Sequence, residues 1–237
     1  MTEATLEQAP SAEDRRRLRR LPLFANASDA TIHDLLAFAP VTTIGRNQFA
    51  VREGTIPNSL LAVAGGRFAL MAQVAGEQPQ VIAMAGRGEL IMAAAAIAAS
   101  PYPLTARAAE EARIVSFPLA TLWSAADRDR GFAADLARIA CGEWRAIIGQ
   151  LKDHRLRSAP QRFAAYLVNL ATASGQPHRG PAEVELVDDR KTLASLLGMT
   201  PENLSRTIAQ FRARGVTVTG RAVTIADLGS LADFAGA

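Results

Sequence analysis

Glu202, Ser205 and Arg206 are the side chains of this sequence whose types and spacing suggest chemistry. An acceptor, a hydroxyl and a forked donor at i, i+3 and i+4 share one face of a helix. Arg206 can fork onto the O6 and N7 of guanine, and Glu202 can accept from the N4 of cytosine. This is hydrogen-bonding chemistry without a nucleophile. No Ser/His/Asp set, phosphate-binding loop or zinc spacing occurs in the chain, so an enzyme is not expected. An ordinary helical hairpin with a solvated face would carry similar residues, so the surrounding elements must decide.

Those elements run from Asp189 to Arg214 and read as two helices joined by a tight turn. Asp188 or Asp189 caps the first helix, which carries Leu193, Leu196 and Leu197 at helical spacing. Gly198 supplies the stop. Thr200 caps the second helix, and Pro201 occupies its first position, where a missing N–H costs nothing. Leu204, Ile208 and Phe211 form the apolar face, opposite the polar set. After Gly215, Val216–Thr219 and Ala222–Ile225 predict a short hairpin turned at Gly220 and Arg221. A helix–turn–helix followed by a hairpin is a winged helix, and such a unit reads DNA with the start of its second helix.

The run Leu193-Ala-Ser-Leu-Leu-Gly-Met-Thr-Pro-Glu-Asn-Leu-Ser-Arg206, continued by Phe211–Gly215 and Val223–Asp227, resembles the CRP/FNR family of bacterial transcription regulators. The resemblance implies that Arg206 takes a guanine, Glu202 bases of the opposite strand and Ser205 a thymine, in TTGAT-like half-sites of an FNR-type operator. It implies phosphate contacts at Arg190, Thr200 and Asn203. Arg221, at the wing tip, could meet a further phosphate. Double-stranded DNA, a second copy of the chain and RNA polymerase are the partners implied.

The whole chain allows this. Its 237 residues accommodate two domains, and 26 Lys and Arg against 23 Asp and Glu leave a net charge of only +3. The basic residues that count are those concentrated between Arg190 and Arg221. A single cysteine, Cys141, excludes a disulfide framework, fits a reducing cytoplasm and reads as a core residue. No stretch is apolar for the roughly 18 residues that a membrane span needs. The polar, acidic start does not read as a signal peptide.

Residues 1–12 read as disordered and Arg15–Arg20 as a solvated basic face, before a short helix capped by Ser28. From Val41 to Pro118, apolar runs broken by glycines at 45, 54, 65, 66, 76, 86 and 88 predict an antiparallel β barrel or sandwich. Strands are expected at Gln48–Arg52, Leu60–Val63, Arg67–Gln73, Gln80–Met84 and Arg113–Phe117. This region resembles a cyclic-nucleotide-binding β-roll. The alanine-rich stretch 88–100 predicts a short helix where that family places its phosphate cassette.

The polar residues of the cassette are missing. Tyr102 and Pro103 stand where the family has Arg-Ser, Ala93 where it has the ribose-binding Glu, and Arg107 lies on the strand beyond. Cyclic AMP is therefore not expected, because an unpaired buried phosphate is prohibitively costly. The Pro101–Ala108 segment is similar to the nitric-oxide-responsive branch, which implies haem; an undetermined or absent ligand remains the alternative. The candidate effector pocket is Ile91, Met92, Ala93, Tyr102, Pro103, Leu104 and Thr105. None of His33, His154 and His178 has spacing that demands a metal.

From Arg130 to Leu156 an apolar stripe recurs near heptad spacing and suits a seam between two chains. Leu136, Ile139, Ala140, Glu143, Ile147 and Leu151 are its expected members. Part of the stripe must also face the β-roll. Gly142 and Gly149 weaken the helix, so partner packing must offset them.

The expected architecture is α+β: a cyclic-nucleotide-binding-like sensor β-roll over 1–126, a dimerisation helix over 127–156 and a winged helix–turn–helix over 157–237. A homodimer would place two recognition helices roughly 34 Å apart on an inverted repeat. A cyclic-nucleotide receptor module and a constitutive regulator without ligand are the alternatives.

Overall fold

The computed structural model describes residues 9–73 and 78–236; Gly76, read as a turn signal, and residues 1–8 lie outside them. The chain divides into two units, 1–146 and 147–237, and the division falls inside one long helix.

The first unit opens with α1 (Ala12–Leu18), nucleated by a capping box between Ser11 and Asp14. The end of the segment read as disordered therefore enters a helix. Asp14 is buried and accepts a hydrogen bond from Arg113 Nη2 at 2.6 Å. Burial pushes its carboxyl up, but the bonds from Arg113 and Ser11 outweigh that and hold it below the ordinary value. Next comes α2 (Asp29–Ala37), with Ser28 as its cap.

The strands follow: β1 (Val41–Ile44), β2 (Phe49–Val51), β3 (Ser59–Gly65), β4 (Phe68–Ala72), β5 (Gln80–Ala85) and β6 (Leu90–Ile91). A five-residue helix, α3 (Ala93–Ile97), separates β6 from β7 (Thr105–Ala108) and β8 (Ala112–Pro118). Two antiparallel sheets result, ordered β1-β8-β3-β6 and β2-β7-β4-β5. The chain continues into α4 (Leu119–Arg128), which the periodicity did not predict, and α5 (Arg130–Leu156).

Strand β3 shows how the sequence builds both layers. Successive side chains point to opposite faces. Leu61 and Val63 join Ile114, Phe68, Leu70 and Ala106 in the core shared by the two sheets. Leu60, Ala62 and Ala64 join Val115, Phe117 and the helical residues Phe24, Leu35, Leu122, Phe132 and Leu136. A strand buried on both sides reads as the continuous apolar run found here.

Helix α5 begins under tight constraint. A Cβ at Gly131 would lie 2.0 Å from the carbonyl oxygen of Asn26, so only glycine fits. Asp135, 1% exposed, accepts from the Asn26 backbone N–H at 2.7 Å, from Asn26 Nδ2 at 2.8 Å and from Arg138 Nη1 at 2.5 Å. A buried carboxylate needs such a full set of donors.

The second unit contains α6 (Ala159–Ala173), β9 (Ala182–Glu185), α7 (Arg190–Leu196), α8 (Pro201–Phe211), β10 (Val216–Thr219), β11 (Ala222–Ile225) and α9 (Leu228–Ala235). The wing hairpin gains β9 as a third strand in the order β10-β11-β9. Phe163, Leu167, Leu193, Leu204, Ile208 and Phe211 centre the core. The Phe211 ring meets Phe163 edge-on at 5.1 Å and Phe234 at 5.9 Å. Phe234 lies on α9, which the sequence reading left out although Asp227 caps it by accepting from Gly229 and Ser230.

Candidate nucleic-acid interface and sensor pocket

The turn between α7 and α8 is set by local chemistry. Asp189 accepts from the Thr192 N–H at 2.8 Å, and Thr200 accepts from the Asn203 N–H at 3.2 Å. These two bonds satisfy N–H groups that the helix starts leave open. Gly198 has φ +60°, and a Cβ there would lie 2.6 Å from the His154 ring. Arg162 on α6 fastens the turn: its Nε donates to Leu197 O at 2.8 Å, its Nη2 to Gly198 O at 3.3 Å and its Nη1 to Arg157 O at 2.8 Å. Sequence reasoning missed Arg162, because nothing local marks a guanidinium that serves residues 35 positions away.

Helix α8 buries Leu204, Thr207, Ile208 and Phe211 and exposes Glu202, Ser205 and Arg206 together. The hydrogen bond at its own backbone N–H holds the Glu202 carboxyl below the usual range, aided by the Thr200 hydroxyl and the Arg206 charge. It therefore presents an ionised acceptor. Ser205 Oγ donates to Pro201 O at 2.9 Å, which leaves lone pairs, and no proton, to face outward. Arg190 is exposed at the start of α7, and Thr200 and Asn203 stand at the start of α8. Arg221 behaves differently from a free wing tip. Its Nε donates to Leu186 O at 2.9 Å and its Nη2 to Val187 O, with Glu185 beside it. The side chain is turned back against the segment that follows β9.

In the first unit, four of the residues expected to form an effector pocket, Ile91, Met92, Tyr102 and Leu104, meet in the core between the sheets. Ile91 and Ala93 are fully buried and Met92 nearly so, as core rather than lining. Pro103 is exposed, and Thr105 Oγ1 accepts from the Glu53 N–H at 3.1 Å. Leu104 packs at the edge of the core between the sheets. Of the seven, only Tyr102 lines a cavity of about 450 Å³ in this unit. Phe49, Arg52, Ile56, Ser59 and Ser116 also line it. The Arg52 guanidinium lies over the Phe49 ring, 4.0 Å from its centroid. The Tyr102 hydroxyl donates to Ser59 O at 3.4 Å, and burial pushes its pKa up. The alanine-rich helix turns its small side chains into the packing, and the open volume lies beside β2.

These residues do not fit a haem. Tyr102 is the one lining residue of a usual axial type. His33 is exposed on α2, and His154 and His178 belong to the second unit. Among the described residues no group of three or more His, Cys, Asp or Glu is placed to hold a metal ion.

The expected seam on α5 also divides. Leu136 is buried and Ile139 packs against the same core. Glu143 accepts from the Ala93 N–H at 2.7 Å and the Ala94 N–H at 2.8 Å. These three are used within the chain. Ala140 is half-buried, while Ile147 and Leu151 are 61% and 52% exposed, joined by Trp144 at 64%. Cys141, expected in the core, is exposed on the same helix.

Comparisons with known proteins bear on both units. A model of the cyclic nucleotide-binding domain matches residues 41–129, and a model of the Crp-like helix-turn-helix domain matches residues 161–234. The fumarate and nitrate reduction regulatory protein of Escherichia coli K12 is 24% identical over 192 residues, which cover 81% of this chain and 72% of the relative. Among solved structures, FixK2 of Bradyrhizobium japonicum aligns with a TM-score of 0.70 at 18% identity, covering 83% of this chain and 96% of that one. A CooA variant from Carboxydothermus hydrogenoformans aligns with a TM-score of 0.71 at 16% identity, covering 83% and 88%. At these identities the two structures speak for the fold. No helix among the described residues is long and apolar enough to cross a membrane.

Proposed function

Because the chain is a DNA-binding transcription regulator of the CRP/FNR family, with a cyclic nucleotide-binding domain ahead of a Crp-like helix–turn–helix, we propose that it acts as a homodimer on an inverted repeat of TTGAT-like half-sites. The observation that carries this reading is the joint exposure of Glu202, Ser205 and Arg206 at the start of α8. Arg206 forks onto guanine, Glu202 accepts from bases of the opposite strand, and Ser205 lies against a thymine. Arg190, Thr200 and Asn203 hold phosphates and so set the register. Arg221 adds the N–H groups that are not bonded to Leu186 and Val187.

The dimer seam is the exposed part of α5, with Trp144, Ile147 and Leu151 at coiled-coil spacing. Bare in water, three large apolar groups on one stripe favour pairing with a like stripe. Domain roles follow the expected limits: sensor to 126, dimer helix to 156, DNA reader beyond. RNA polymerase is the partner through which a bound dimer changes transcription.

An effector shifts the population between pairing states of the long helix, and thereby the operator affinity. The cavity beside Tyr102 and Arg52 is its place. A constitutive regulator without ligand is the second reading, favoured by the apolar, filled core between the sheets.

The test is fluorescence anisotropy with a palindromic TTGAT duplex, a single half-site and a scrambled duplex, at fixed salt. Preference for the palindrome is the expected result. Equal binding to all three would refute base reading by α8.

A further inference from the structure

The contact between Glu143 and α3 has no role in the DNA reading, and it joins two elements fifty positions apart. Helix α3 has no cap of its own. Its N-cap, Met92, sits in the left-handed region at φ 47° and offers no side-chain hydrogen bond. The four alanines that follow have no acceptor either. Ala93 is fully buried, so water cannot take the place of one. The Glu143 carboxylate fills this gap with both oxygens: Oε1 accepts from Ala93 N–H at 2.7 Å and Oε2 from Ala94 N–H at 2.8 Å. Charge-assisted bonds at such distances are the strong kind.

The place of Glu143 on α5 gives the contact its consequence. It follows the inward residues Phe132, Leu136 and Ile139 and directly precedes the exposed Trp144 and Ile147. Gly142 and Gly149 bracket this stretch, and a Cβ at either would meet nothing within 4 Å. Packing within the chain therefore does not require these glycines. They leave the helix weak on both sides of the tethered turn.

We propose that Glu143 is a positioning residue: by holding the start of α3 it fixes the turn of α5 that presents Trp144 and Ile147 for pairing. The proposal rests on the homodimer reading above for its effect on DNA, but not for its effect on the helix. A rearrangement of the β-roll that moves α3 pulls on this turn directly. Releasing the carboxylate frees the turn between the two glycines.

Hydrogen exchange of the full-length chain, with Glu143→Ala and Glu143→Gln, tests it. In Glu143→Ala, exchange of the Ala93 and Ala94 amides rises roughly ten- to hundredfold, as expected for donors that lose a charged acceptor. Exchange over residues 144–151 rises with it. Glu143→Gln, which keeps one oxygen acceptor, gives smaller changes at both places and serves should the alanine variant misfold. Dimer affinity, by analytical ultracentrifugation, and palindrome affinity then weaken about five- to thirtyfold in Glu143→Ala.

A rise confined to residues 93–97, with 144–151 unchanged, would make Glu143 a local cap and overturn the proposal. Should the unaltered chain show no palindrome preference, the DNA reading fails, and the exchange at 144–151 still decides the tether.

Discussion

The starts of α8 and α3 meet the same requirement in opposite ways. Both leave backbone N–H groups open. At α8 the acceptor is Thr200, three residues from the amide it serves. At α3 it is Glu143, fifty residues away on another helix. The local cap holds a helix that turns Glu202, Ser205 and Arg206 outward. The distant cap ties a featureless helix to one that leaves Trp144, Ile147 and Leu151 exposed. A locally closed element keeps its own cap, whereas a remotely closed one depends on the element that supplies the acceptor.

The largest effect is expected where α8 is anchored in its core. Phe211→Ala deletes the ring between Phe163 and Phe234. A loss of about 3–5 kcal/mol is expected for such a buried aromatic. Urea unfolding would register it, as loss of the second unit's structure ahead of the first. If the two units unfold together, each is less independent than its core implies.

Arg206→Ala leaves the module folded and removes its reading. A loss of about 1–3 kcal/mol on the palindrome is expected, with little change on scrambled duplex. Equal weakening on both duplexes would reduce Arg206 to a phosphate contact.

Thr200→Ala removes the local cap, and its effect is read in stability rather than in DNA binding. About 1 kcal/mol of stability should go, measured by chemical denaturation. Asn203 and the reading residues should keep their places, since Pro201 still starts the helix. The disturbance stays within α7 and α8, unlike that expected from Glu143.

The smallest effect is the dependence on pH. Asp189 has its carboxyl held below the ordinary carboxylate value, chiefly by the Thr192 N–H, which outweighs burial. A lowered folded value means that its contribution is complete above the unfolded pKa and is lost as pH falls through the folded one. Stability should therefore decline below about pH 4, and less steeply in Asp189→Asn. An equal slope in both proteins would remove Asp189 from the account.

Much of the second unit was legible in the chain. Asp189, Gly198, Thr200 and Pro201 are punctuation with short-range causes, and Leu204, Ile208 and Phe211 mark the buried face by spacing alone. The structure bears out all seven. What escaped there was α9, whose eight residues are too short for a clear period and whose cap, Asp227, looks like the end of the wing. Arg162 escaped too, because its partners are carbonyls, which carry no sequence signal.

The first unit was less legible at the point where function would enter. Glycine spacing gave the β character, and the continuous apolar run of β3 fits a strand buried on both faces. The pocket residues, however, were chosen by position along the chain. Ile91, Met92 and Ala93 went into the core, and the open volume formed around Phe49 and Arg52, which no pattern singled out. The stripe on α5 carried a similar ambiguity. Heptad spacing recorded that a face is apolar, but not where along the helix that face changes from its own core to open solvent.

Residue type and spacing within a few positions determined the winged unit, its capped helices and the polar set it displays, because hydrogen bonds between near neighbours and helical periodicity act over that range. The division of α5 into inward and outward stretches, the location of the cavity and the union of Glu143 with α3 were decided only when distant segments packed. Those outcomes depend on which donors lose water when the core closes, and on which acceptor is then within reach.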